Sequence, residues 1–291
     1  MSRIHDALRK SERENHRSVL STPEPLIPAK PLGSTGGPVL ELAGAPVVPD
    51  IPATARLVAT TDPQGLGAEK FRALAARLEN LRKSRDLKSV QVTSGTKGDG
   101  KTLTSGNLAL TMARRSSSKV LLIEGDLHKP ALASMFGLDQ SLGLSQWWSE
   151  PNSDIARYIR QLKGTSLWLL TAGHAYDQPS EILRSARFSK AFAELAPRFD
   201  WVVVDSTPLL PMADANLWSR LVDGTLLVVR EGATRINALK KGLESLDNPN
   251  LVGIVLNEAS ESDGVDPYEQ YYTARKNGNS TEGGGKPEDV T

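Results

Sequence analysis

Ser89-Val90-Gln91-Val92-Thr93-Ser94-Gly95-Thr96-Lys97-Gly98-Asp99-Gly100-Lys101-Thr102-Leu103 passes from a short β-branched run, through a glycine-rich loop, into a helical pattern that continues to Arg115. Gly95 to Thr102 satisfies the pattern G-x-x-x-x-G-K-[ST] in full. Glycines let backbone N–H groups wrap phosphates with no Cβ in the way. The helix that follows turns its positive N-terminus toward them. In that geometry Lys101 reaches the β- and γ-phosphates and Thr102 ligates magnesium. The expected nucleotide contacts are therefore Gly95, Thr96, Lys97, Gly98, Asp99, Gly100, Lys101, Thr102 and Leu103. The bland alternative is a chance match in a glycine-containing turn. A strand before the loop and a helix after it weigh against that.

Outward from this loop, apolar runs alternate with helical patterns. Val120 to Ile123, Leu167 to Thr171, Trp201 to Asp205, Thr225 to Val229 and Leu251 to Leu256 read as strands. Glu181 to Ala196 and Ile236 to Leu246 read as helices between them. Continuous apolar strands alternating with helices predict a doubly wound, mainly parallel α/β sheet with helices on both faces, like that of the P-loop NTPases. Ligands of such sheets bind beyond the carboxyl ends of the strands. The polar residues stand there. The strand at Val120 ends in Glu124-Gly125-Asp126, the strand at Trp201 ends in Asp205, and the last strand ends in Asn257. Beside a phosphate loop, such carboxylates suit magnesium, which needs oxygen ligands, and a substrate hydroxyl, which needs a base. Elsewhere they would be solvated loop residues. Asn257 reads either as an amide for an adenine edge or as a turn residue.

The ends of the chain differ from its middle. Residues 1–17 read as a small charged helix capped by Ser2, with Ile4, Ala7 and Leu8 on one face. It is either a frayed terminal helix or a docking peptide for a partner groove. Residues 18–55 hold eight prolines, from Pro23 to Pro52, and read as a semi-extended linker. Residues 56–260 form the expected P-loop domain. Residues 261–291 form the expected disordered tail, which carries Tyr268, Tyr271 and Tyr272.

Lys plus Arg (35) balances Asp plus Glu (34), so bulk charge makes no case for nucleic acid or a membrane surface. Absence of cysteine excludes disulfides and thiolate zinc sites and suits a reducing cytoplasm. No apolar run approaches the roughly 20 residues of a membrane span, and the N-terminus has no apolar signal core.

With these residues in place, the chain resembles the bacterial tyrosine kinases of capsule and exopolysaccharide export, the BY-kinases. The likeness runs from about Thr61 to Tyr272. It takes in Glu69-Lys70-Phe71-Arg72-Ala73-Leu74, Ser94 to Thr102, Val120 to Pro130, Pro179-Ser180-Glu181-Ile182-Leu183, Phe199 to Pro208, Asp214-Ala215 and Gly253 to Asn257. The resemblance implies that Lys101 and Thr102 belong to Walker A, Glu124 and Asp126 to a second acidic motif, and Asp205 to Walker B. It implies ATP and Mg2+ as cofactors. Asp126 would help deprotonate tyrosine, while Thr102, Glu124, Asp126 and Asp205 would hold magnesium. The γ-phosphate would pass in trans to Tyr268, Tyr271 and Tyr272, which a reading without the family would take as an aromatic anchor. The family assembles as a ring through a contact helix, here at Glu69 and Arg72. The implied partners are a transmembrane chain-length regulator that activates the kinase at the inner face of the plasma membrane, further copies of the chain, and a tyrosine phosphatase.

The chain departs from the family pattern at four places. Glu124 stands where the family has Asp, and His128 where it has Arg. Lys97 stands where it has Pro, either adding charge near the phosphates or pointing to solvent. Ala75 stands at the third position of the contact helix, with Arg77 two residues on. The signature lysine of the cell-division and plasmid-partition ATPases would fall at Thr96, and its absence points away from them. Three readings follow: a tyrosine autokinase regulating polysaccharide polymerisation and export, a non-kinase ATPase switch, and an ATP-binding pseudokinase scaffold.

Overall fold

The computed structural model describes residues 46–115, 118–174, 176, 178–211, 213–247 and 250–259. The sequence readings at 1–17, 18–45 and 261–291, with Tyr268, Tyr271 and Tyr272, lie outside these residues.

Among the described residues the strands are β1 (Ser89–Ser94), β2 (Val120–Glu124), β3 (Arg160–Gln161), β4 (Leu167–Leu170), β5 (Trp201–Asp205), β6 (Gly224–Arg230) and β7 (Leu251–Asn257). They form one sheet in the order β3-β4-β2-β5-β1-β6-β7. Every pairing is parallel except β3 on β4. The mainly parallel α/β sheet expected from the sequence is therefore present. β3 was not expected, because two residues give no periodicity to read.

Both faces of the sheet are covered, and single strands feed both. Val120 and Leu122 of β2, with Trp201 and Val203 of β5, point into one core, which also holds Leu78 and Leu108. Leu121, Ile123, Val202 and Val204 point into the other, with Trp147, Phe188 and Trp218. That is why these strands read as unbroken apolar runs. Each fully buried side chain of this size contributes roughly 1.5–3 kcal/mol.

Helix α1 (Leu66–Arg82) and helix α2 (Lys101–Arg115) lie on the first face. α2 packs on α1 and on β1, β2 and β5, so its first turn points at the carboxyl ends of those strands. The second face carries α3 (Pro179–Arg184), α4 (Ala186–Leu195) and α5 (Asp214–Ser219). The stretch from Glu181 to Ala196, expected as one helix, is broken at Ser185. That residue is extended (φ −75°, ψ 141°), and its Oγ accepts from Phe188 N at 3.0 Å. A serine N-cap thus restarts the helix where helical propensity alone would continue it.

Residues 46–55, read from the sequence as the end of the linker, lie against the domain. Val47 N donates to Gln161 O at 2.8 Å and Lys163 N donates to Val47 O at 2.9 Å. Val47, Ile51 and Ala55 pack on the first core. Prolines 46, 49 and 52 prescribe an extended path, and an extended path can join a sheet edge.

Candidate active site

The strand order β2-β5-β1 brings three carboxyl ends side by side, with β5 in the middle. β1 delivers the phosphate loop, β5 delivers Asp205, and β2 delivers Glu124 and Asp126.

The loop is organised by its own residues. Asp99 accepts from Thr96 N at 2.9 Å on Oδ2 and from Thr96 Oγ1 at 3.1 Å on Oδ1. Ser94 Oγ donates to Thr96 O at 2.8 Å. Gly98 and Gly100 have φ of +92° and +99°, in the left-handed region that only glycine enters without strain. One latch comes from far along the chain: Asn257 Nδ2 donates to Asp99 O at 2.8 Å. A Cβ on Gly100 would stand 2.1 Å from that nitrogen. Asn257, expected at an adenine edge, thus gives one of its two amide hydrogens to the shape of the loop.

At the start of α2 the Lys101 ammonium sits 2.8 Å from Asp126 Oδ2 and 3.8 Å from Asp205 Oδ1, and it donates to Thr102 Oγ1 at 3.3 Å. Lys101, Asp126 and Asp205 are all buried. Burial pushes the Asp205 carboxyl up to about 7, and Lys101 and the Thr102 hydroxyl offset this only in part. Asp205 Oδ1 has no hydrogen-bond partner within the protein, nor do Ser206 Oγ and Thr207 Oγ1 just beyond it. A buried carboxylate oxygen left open beside a phosphate loop is the donor a hard cation takes. Among the described residues no three His, Cys, Asp or Glu side chains converge as a metal cage. Magnesium, however, is ordinarily held by one or two carboxylates together with phosphate oxygens and waters. Thr102, Asp126 and Asp205 fit that requirement.

Glu124 does something else. Its Oε1 accepts from Leu132 N at 2.5 Å and from Ala131 N, and its Oε2 accepts from Ala172 N at 2.9 Å. Burial raises its pKa and these three amides pull it back. Both oxygens are spent on pinning residues 131–132 and the end of β4 to β2. Glu124, expected as a magnesium ligand, here turns both oxygens to backbone amides. Glu124 is a structural staple, and the longer glutamate side chain reaches amides of the following loop.

The rest of the acidic loop is held the same way. Gly125 lies against Trp218: a Cβ there would stand 2.6 Å from Trp218 Nε1, which donates to Gly125 O at 3.2 Å. Asp126 Oδ1 accepts from Lys129 N at 3.1 Å. His128 Nε2 is 3.0 Å from Asp214 Oδ2, and Ser180 Oγ donates to Asp214 Oδ1 at 2.7 Å. His128 thus ties the loop to α3 and α5. Sequence reasoning assigned no task to Asp214 or Ser180, because nothing local joins them to His128. Lys97 is exposed, and its pKa is lowered because the side chain of Lys129 lies against it, while Asp126 acts in the opposite direction. Of the two expectations for Lys97, its exposure to solvent is what the structure shows.

Glu69 and Arg72 lie on α1, away from this cluster, bound to each other with Arg72 Nε donating to Glu69 Oε2 at 2.7 Å. Ala75, at the third position of the expected contact motif, is buried in the first core, while Arg77 faces a groove beside β7.

No family model matches the chain. The tyrosine-protein kinase YwqD of Bacillus subtilis (strain 168) is 32% identical over 203 residues, covering 69% of this chain and 85% of that protein. The succinoglycan biosynthesis transport protein ExoP of Rhizobium meliloti (strain 1021) is 29% identical over 230 residues, covering 72% of this chain but 28% of that larger protein. The solved kinase domain of the Escherichia coli tyrosine kinase ETK superimposes with a TM-score of 0.64 at 26% identity, covering 72% of this chain and 84% of that one.

Proposed function

The chain belongs to the bacterial tyrosine kinase (BY-kinase) family, and on that premise we propose that it is an ATP- and Mg2+-dependent protein-tyrosine autokinase of capsule or exopolysaccharide biosynthesis. The observation that carries this reading is the convergence of Lys101, Asp126 and Asp205 at the phosphate loop. One acid lies against the lysine and the other is buried with an open oxygen.

The division of labour follows from the geometry. The backbone of residues 95–102 and the ammonium of Lys101 bind and orient the phosphates. Thr102, Asp205 and Asp126 would hold magnesium, which when bound neutralises charge on the transferred group. Asp126 turns from Lys101 to the incoming tyrosine and takes the proton from its hydroxyl. The Oη–P bond forms as the bond to the departing ADP oxygen breaks, leaving phosphotyrosine and ADP. Most of the rate enhancement comes from positioning and charge. Lys97 and Lys129 add positive charge where the phosphates enter.

The acceptors are Tyr268, Tyr271 and Tyr272 of a neighbouring copy, with Glu69 and Arg72 in the contact between copies. A membrane-spanning regulator of polysaccharide chain length recruits and activates the kinase, and a phosphatase resets it. Among the described residues no helix is long and apolar enough to cross a membrane. In this reading the partner brings the kinase to the membrane. The kinship with ExoP supports the polysaccharide context.

The pseudokinase reading drew on Glu124, His128 and Ala75. It loses weight because Glu124 serves the backbone and His128 serves Asp214. Incubation with ATP and Mg2+ in the presence of the membrane partner, followed by mass spectrometry of the tail, tests the proposal. Phosphate on the tyrosines, abolished by Lys101→Met, supports it. ATP hydrolysis with all three tyrosines unmodified would leave the ATPase switch instead.

A further inference from the structure

β7 ends the sheet, and among the described residues no strand pairs its outer edge. That edge lacks the usual defences. Ile254 and Leu256, two residues apart on one face, are 44% and 53% exposed, and no charge occurs in the strand. Edge strands of this kind are templates for another strand. Beside it runs a groove of about 510 Å3 between α1 and β7, lined by Leu74, Leu81, Val252 and Ile254, with Arg77 supplying its charge.

From this edge we propose that the acidic segment 260–272 of the same chain docks along β7 as an added antiparallel strand, with its apolar side chains over the groove. Its position argues for it. β7 stops at Asn257, and Glu258 follows in the left-handed region (φ 51°), ion-paired with Arg230, so the extended path ends there. The segment then begins at the edge itself. Its charge argues the same way. Glu261, Asp263, Asp266 and Glu269 precede the next basic residue, Arg275, and face a groove whose charged residue is Arg77. Val265 and Tyr268 offer apolar cover, and Pro267, which has no N–H, is tolerated in an outermost strand.

Other parts of the chain fit less well. Residues 37–43 lead into Val47 at the β3 edge, across the whole sheet, about 29 Å away at six strand spacings of about 4.8 Å. Residues 1–17 carry five basic side chains (Arg3, Arg9, Lys10, Arg13, Arg17) against three acidic ones (Asp6, Glu12, Glu14), the wrong sign for Arg77.

The docking has a consequence that rests on the kinase reading. The P-loop end of β7 is Asn257. An antiparallel return puts Tyr268 opposite the Leu251 end and Tyr271 and Tyr272 past it, about 20 Å from the phosphate loop at about 3.4 Å per residue. Each copy's tyrosines are then held away from its own site and offered to another.

Hydrogen exchange on the full-length protein without nucleotide tests the docking. Amides of residues 261–270 are expected to exchange at least about tenfold more slowly than in an unstructured peptide. Ile254→Asp combined with Leu256→Asp should return them to unstructured rates while β1 and β5 stay protected. The surface change Arg77→Glu should weaken the protection without touching the strand. Unstructured rates in the natural chain would overturn the proposal. So would protection that grows with protein concentration, which would assign the edge to a second copy. No phosphate is transferred in this experiment, so its failure leaves the kinase reading standing, and the failure of tyrosine labelling leaves the docking standing.

Discussion

The phosphate loop and the acidic loop meet at Lys101, but they are built in opposite ways. Residues 95–102 close mainly on themselves, with Asp99 binding Thr96 three residues away. Residues 124–132 are held from a distance: Glu124 by Ala172, Gly125 by Trp218, and His128 by Asp214. One loop is a local object set on a strand end. The other exists only because the second face of the sheet is packed. The difference teaches where a change will cost chemistry and where it will cost structure.

The largest expected effect lies where the two loops touch. Lys101→Met removes the cation that binds phosphate and pairs with Asp126. Tyrosine phosphorylation is expected to fall by at least roughly 10²–10³-fold, while the phosphate loop keeps its own hydrogen bonds. Quantitative phosphotyrosine mass spectrometry reads the first, and an unchanged circular dichroism spectrum reads the second. A variant that retained a third of the activity would break the assignment.

Next comes the staple. Glu124→Ala leaves three backbone N–H groups without their acceptor, and the expected loss of stability is on the order of 3 kcal/mol. Denaturant unfolding without nucleotide measures it. If Glu124 were a metal ligand instead, the same variant would keep its stability and lose Mg2+ affinity, and the contrast between the loops would fail.

Third is the acid between the loops. Asp205 has a folded pKa of about 7 against an ordinary 3.8. The raised value means that the folded protein holds a proton the unfolded chain releases. The stabilisation this gives is full below the ordinary value and is lost as pH rises through about 7. Without nucleotide, Asp205→Asn should therefore stabilise the protein more at pH 8 than at pH 5, which thermal melts at the two pH values compare. Cation binding needs the ionised acid. Mg2+-nucleotide affinity should thus rise with pH by up to about tenfold per unit below about 7, and the variant should flatten that slope in calorimetric titrations.

The smallest effect concerns the outer ties. Ser180→Ala removes one hydroxyl from Asp214, worth about 1 kcal/mol, and should change the unfolding midpoint slightly with little effect on nucleotide affinity. A larger loss of affinity than of stability would mean that the His128–Asp214 contact positions the chemistry as well as the loop.

Much of this was legible in the residues. The phosphate loop needs only eight neighbours, and its glycines, lysine and threonine declare it. The alternation of apolar strands with helices declared the sheet. Asp126 and Asp205 stood where carboxyl ends of strands put them. What was hidden has one cause. Glu124 was read as a metal ligand because it ends a strand beside the phosphate loop and falls in the second acidic motif of the family it resembles. Asn257 was read as an adenine contact because it ends a strand. In both cases a partner of the side chain, Ala172 for Glu124 and Asp99 for Asn257, lies 48 or 158 residues away, and no local pattern announces it.

The sequence by itself therefore determined that there is a phosphate site, which residues form its loop, and which layer order surrounds it. These depend on local periodicity and on backbone freedom at glycine. Only the tertiary structure decided which carboxylate oxygens accept backbone amides and which stay open beside the phosphate loop. That division depends on which amides the packing leaves unpaired within reach, and a buried N–H must be satisfied by whatever acceptor the fold brings to it.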